Sequence, residues 1–68
     1  MKFDVYGRFE LEVLSTTRGW EVYRLTDGKH VRVDDIIIPA DMAVGDIAEY
    51  LDDLLHEISR PGDRIIEL

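Results

Sequence analysis

The sequence predicts a small α+β domain: a three-stranded antiparallel meander packed on one C-terminal amphipathic helix, with a short final strand, in the order β-β-β-α-β. Three observations predict it. Apolar and charged residues alternate near the start, Asp27-Gly28 separates two β-rich runs, and Leu and Ile recur at helical spacing from Ile47 onward.

The alternation is strict. Phe3, Val5, Phe9, Leu11 and Val13 hold odd positions, while Lys2, Asp4, Arg8, Glu10 and Glu12 hold even ones. A period of two puts apolar side chains on one face of a strand and charges on the other. Gly7 falls in phase with the apolar set and the pattern runs on past it. The segment therefore reads as one long strand, bent or bulged at the glycine, with no turn. Ser15-Thr16-Thr17-Arg18-Gly19 suits a hairpin loop, and Trp20 to Leu25 forms the second strand. Asp27-Gly28 is a strong hairpin signal, because both central positions of a type I′ turn need positive φ. His30 to Val33 is the third strand. Asp34-Asp35 breaks the run, and Ile36-Ile37-Ile38 is a short apolar extension before Pro39.

Ile47, Leu51, Leu54, Leu55 and Ile58 fall on one stripe of a 3.6-residue period, with Asp46, Glu49, Asp52, Asp53 and Glu57 off it. Acids crowd the first turns, Arg60 closes the last, and Pro61-Gly62 ends the helix. Arg64 to Leu68 adds a short strand at an edge. The apolar face of the first strand and the helix stripe cover each other.

Composition narrows the function classes. The 68 residues make one domain, spanning 1–68, with a modest core. With 46% hydrophobic and 34% charged residues the chain is not wholly disordered. It has no cysteine, so neither disulfides nor a thiolate zinc site can stabilise it. No apolar run approaches the roughly 18 residues of a membrane span. The start, Met1-Lys2-Phe3-Asp4, lacks a signal-peptide core, which predicts a cytoplasmic location. The net charge of −7 divides into +1 over residues 1–33 and −8 over residues 34–68. An acidic half opposes nucleic-acid phosphates and anionic membranes. A protein partner fits better.

The second strand does not alternate cleanly. Either Trp20 and Val22 or Tyr23 and Leu25 face away from the helix. With Tyr6 and Leu14, that pair makes an outer apolar patch ringed by Arg8, Arg24 and Arg32, a composition enriched at protein interfaces. Tyr6, Arg8, Leu14, Trp20, Val22, Tyr23 and Arg24 are thus the interface candidates. Glu49, Asp52 and His56 share one helix face with Asp53 nearby, a spacing that could hold a divalent metal, although any solvated helix shows such pairs. His30 stands beside Arg32 with no evident partner. No nucleophile elbow and no phosphate loop occurs, so no catalytic residue or cofactor is expected.

Two blocks carry a family resemblance: Met1-Lys2-Phe3-Asp4-Val5-Tyr6-Gly7-Arg8-Phe9, and Tyr50-Leu51-Asp52-Asp53-Leu54-Leu55-His56-Glu57 running into Pro61-Gly62. With them, nearly the whole chain resembles a family of small, uncharacterised bacterial proteins, a domain of unknown function. The resemblance implies no activity and no site residues. The β-β-β-α-β order is also similar to the partial ribonuclease-H-like domain of HicB-type antitoxins. Their glycine-and-aspartate loop is absent, with Ile38-Pro39-Ala40-Asp41 in its place, and so is their DNA-binding extension. The sequence thus predicts a non-catalytic cytoplasmic protein acting by protein–protein contact, with homodimerisation the simplest form. The alternatives are an acidic, antitoxin-like inhibitor of a small basic protein, and a metal-binding module.

Overall fold

Four strands precede the helix, where the sequence predicted three. A computed structural model describes residues 1–68 and shows β1 (Lys2–Val5), β2 (Phe9–Thr16), β3 (Gly19–Thr26), β4 (Lys29–Arg32), helix α1 (Ile47–Leu55) and β5 (Ile65–Glu67). Short 3-10 turns, Val44–Asp46 and His56–Ile58, extend the helix at both ends. All five strands form one antiparallel sheet in the order β4-β3-β2-β1-β5. The fold is α+β, as expected, but the meander has four strands and the tail pairs with β1 as a fifth.

The single long strand expected over residues 2–13 is a hairpin. Arg8 donates its N–H to the Val5 carbonyl at 3.0 Å, and Tyr6 and Gly7 both take positive φ, 57° and 70°. Glycine adopts that conformation freely, whereas a tyrosine there is uncommon. Asp4 supports the turn, its Oδ2 accepting the Gly7 N–H at 3.2 Å. The alternation survives because Val5 partners Phe9 across a turn of Tyr6, Gly7 and Arg8. Partners four positions apart share parity, so the turn leaves the phase untouched.

The next two turns do shift it. Thr16 partners Gly19 around Thr17-Arg18, and Thr26 partners Lys29 around Asp27-Gly28. Each two-residue turn exchanges odd for even on a given face. Phe3, Val5, Leu11 and Val13 therefore share the helix side with Trp20, Val22 and Arg24, and Val13 lies opposite Val22. Tyr23 and Leu25 take the other side. This settles the open alternative for the second strand and removes Trp20, Val22 and Arg24 from the outer patch. Arg24 instead places its guanidinium 4.3 Å from the centroid of the Phe9 ring. Tyr6 leaves the outer patch too. It belongs to the turn, and its ring is buried in the core.

The core is small. Phe3, Val5, Tyr6, Leu11, Val13 and Val22 meet Ile47 and Leu51 of α1 and Ile38 from the segment before it. That segment forms no strand at Ile36-Ile37-Ile38. It crosses the helix side as a strap, with Ile38 buried, Ile37 73% exposed, and the Tyr50 hydroxyl donating to the Ile37 carbonyl at 2.6 Å. Where the strap passes the β2–β3 turn, a Cβ added to Gly19 would lie 3.1 Å from Ala40 Cβ, closer than most real contacts. No helix is long and apolar enough to cross a membrane.

Within the helix stripe, Leu51 is fully buried while Leu54 is 46% exposed. Leu51→Ala should cost about 2–5 kcal/mol by denaturant unfolding, and Leu54→Ala less than about 1 kcal/mol. Equal costs would contradict the seat assigned to α1.

Candidate functional site

The helix and strap cover one side of the sheet, and the other side is open. Across it run Lys2 and Asp4 of β1, Glu10, Glu12 and Leu14 of β2, Glu21, Tyr23 and Leu25 of β3, and His30 and Arg32 of β4. Leu14 and Tyr23 are the two interface candidates that remain on this face. Arg8 is exposed in the first turn. The expected aromatic patch has thus shrunk to one ring. The centre of the face is acidic instead: Asp4 lies directly opposite Glu10, a like-charge pairing that costs a little stability.

Toward β4 the charges are paired. His30 Nε2 lies 2.7 Å from Glu12 Oε1, which supplies the partner the sequence did not reveal. Arg32 reaches Glu21 at 3.5 Å and Asp34 at 3.2 Å. Tyr23 donates its hydroxyl to Glu21 Oε1 at 2.9 Å and meets the His30 ring edge-on. That hydrogen bond raises the Tyr23 pKa above the ordinary phenol value. Exposed pairs of this kind contribute little stability each. They order the side chains beside the sheet edge.

That edge is β4, and all four of its residues are exposed. Val33 donates to the Val22 carbonyl at 2.9 Å, so Val22 and Val33 form a hydrogen-bonded pair in the β3–β4 ladder. By antiparallel alternation, Arg24 with Val31 and Thr26 with Lys29 are the bonded pairs before it. The N–H and C=O groups of His30 and Arg32 therefore point away from β3, toward solvent. At the end of β4 lies a groove of about 170 Å³, walled by Trp20, Val22, Val33, Ile36 and Ile37 with Glu21, Arg32 and Asp34 at its rim. The Trp20 indole N–H is buried and meets no acceptor. From sequence, an exposed sheet edge is one expected contact surface, but which strand forms it, and the groove beside it, are not legible. The nearest signal was the Asp27-Gly28 turn itself, which delivers the last strand of a meander and so a free margin.

A second concavity, about 450 Å³ and polar, lies beyond the end of α1 between Asp52, His56, Ser59, Arg60, Gly62 and Asp63. Its polar groups mostly serve the loop. Ser59 Oγ donates to the His56 carbonyl at 2.7 Å, and the Arg60 N–H donates to Asp63 Oδ2 at 2.8 Å. Asp52 Oδ1 accepts the Tyr6 hydroxyl at 2.5 Å, which fastens the first turn to the helix. Of the three metal-ligand candidates, Asp52 and His56 line this cleft and Glu49 does not. No three His, Asp or Glu side chains are grouped to hold a metal ion. The cleft has no apolar wall and no activated nucleophile.

A family match spans every one of these elements. The chain belongs to the family Domain of unknown function (DUF7661), matched over residues 1–68. Comparison with curated proteins and with solved structures returns no match. Membership in DUF7661 agrees with the resemblance carried by the first nine residues and the 50–62 block. The likeness to HicB-type antitoxins loses its topological ground, because four strands, not three, come before the DUF7661 helix.

Burial of Tyr6 raises its pKa to about 12, helped by the hydrogen bond to Asp52 and by the Asp52, Asp63 and Asp53 charges. The folded form thus favours the neutral phenol. Its stabilising effect is complete below the ordinary value of 10 and is lost as pH rises through about 12. An ultraviolet difference titration should show a phenol titrating at about 12 that is absent in Tyr6→Phe, while the raised Tyr23 phenol remains. An alkaline limb left unchanged by Tyr6→Phe would contradict the buried contact.

Proposed function

We propose that this protein is a non-catalytic binding module that engages another protein at the free β4 edge of its sheet. The observation that carries the reading is the uncovered margin itself: four exposed residues whose alternate backbone groups have no partner, at the end of a five-stranded sheet. Unpaired edge groups are a template for a further strand. Native sheets blunt such edges with charge, and β4 carries Lys29 and Arg32. Those charges act against a second copy, because two β4 strands laid together double the positive charge along one seam. Two chains of net charge −7 also repel each other at longer range. A different protein is therefore the better occupant than a homodimer.

The acidic helix supports a second reading, the inhibitor of a small basic protein. Glu49, Asp53 and Glu57 are exposed and make no ion pair within the chain.

Photo-crosslinking in the producing cells separates the two. A photoreactive residue at Arg32 should give one discrete protein adduct and the same residue at Glu49 none. An adduct at Glu49 alone would favour the inhibitor reading and overturn the edge. A dimer-sized adduct at Arg32 would restore the homodimer.

A further inference from the structure

We infer that Arg24, stacked on Phe9, anchors a carboxylate-binding corner on the helix side of β3 and β4, where a glutamate or aspartate of the partner protein docks. The inference rests on the edge reading above for the kind of partner and adds the contact that would orient it.

Strand register builds the corner. Arg24 lies opposite Val31 and Lys29 opposite Thr26, so Arg24, Lys29 and Val31 share the helix side at the turn end of the β3–β4 hairpin. All three are exposed. Helix α1 packs toward β5, and the strap crosses at the β2–β3 turn, at the other end of the sheet. Acids of the adjoining strands have the opposite parity: Glu10, Glu12 and Glu21 lie on the open face. Asp27, in the turn, is the nearest acid to Lys29 along the chain and forms no ion pair with it.

One side chain is set in advance. The Arg24 guanidinium sits over the Phe9 ring, 4.3 Å from its centroid. Stacking uses the face of a guanidinium and leaves its N–H fork at the rim. Arg32 and Arg60 spend their donors on acids of the chain, whereas Arg24 and Lys29 make no ion pair. A fork already held in one plane loses less freedom on meeting a carboxylate, and two parallel N–H···O bonds match that geometry. Lys29 adds a second positive charge diagonal to Arg24, and Val31 offers aliphatic contact to the stem of the incoming acid. A phosphate also fits a fork. Nucleic acid, however, brings many such charges at once against a net charge of −7, so a protein carboxylate is the better occupant.

The test is an NMR titration of the intact protein with a short glutamate-rich peptide, its glutamine counterpart and a thymidine oligonucleotide. The glutamate peptide should shift the Arg24 Nε–H and the Lys29 and Val31 amides, and salt should weaken it. The glutamine peptide should leave those signals in place. Arg24→Lys keeps the charge and loses the fork, so binding should fall by about fivefold or more with the hairpin shifts retained. Arg18→Gln, in the β2–β3 turn at the far end of β3, should change nothing. Undiminished binding by Arg24→Lys would overturn the fork, and tighter binding of the oligonucleotide would overturn the protein carboxylate. Absence of shifts at the corner with the glutamate peptide would overturn the inference altogether. The crosslink at Arg32 judges the edge separately: an adduct there with a silent corner keeps the edge reading alone, and a responsive corner with no adduct keeps the corner alone.

Discussion

The number of residues in each hairpin turn governs which side chains meet the helix, because side chains alternate along a strand and antiparallel partners point to the same face. The first turn holds three residues and keeps odd positions inward. The second holds two and hands the inward face to Trp20, Val22 and Arg24, and the third hands it back to Val31 and Val33. Core, open face and edge chemistry all follow. One residue inserted in the second turn would send Val22 outward and bring Tyr23 and Glu21 under the helix, with no buried partner for the acid.

This parity rule also explains what was legible in the sequence. The apolar alternation of Phe3 to Val13 and the Asp27-Gly28 turn stand as read, and the Ile47-to-Ile58 stripe does form a helix, but α1 ends at Leu55 with a 3-10 turn to Ile58, which leaves Leu54 and Ile58 exposed and Arg60 outside the last turn. The hairpin at Tyr6-Gly7 was hidden because an odd-length turn leaves the pattern intact, and because its left-handed positions fall on Tyr6 as well as on glycine. Misplacing that turn sent Tyr6 to the wrong side and inflated the outer patch. Ile36-Ile37-Ile38 has strand composition but lies after the Asp34-Asp35 break, and its two ends bury against the core while Ile37 stays out. The candidate edge was hard to read for another reason. Free backbone groups are a property of strand order, and order becomes visible only when β5 is seen to pair with β1 and leave β4 bare.

One polar contact ties these parts together. Tyr6 reaches from the first turn to Asp52 on the helix, across 46 positions of chain, and gives a core of mostly aliphatic side chains a directional fastening. Such a contact orients the helix over β1 and β5 where shape alone permits several seats. Asp52 is thereby committed to structure, which is why its spacing with His56 reads as a ligand pair in sequence and as a strut in the fold.

The return of β5 beside β1 has a consequence for biosynthesis. The four strands of the meander leave the ribosome in order, each beside the one before it, and can zip locally. Their oily underside waits bare until the helix and last strand emerge, some thirty residues later. For that interval the nascent chain is an unroofed sheet, and the cations along its leading margin are its defence against sticking to its neighbours.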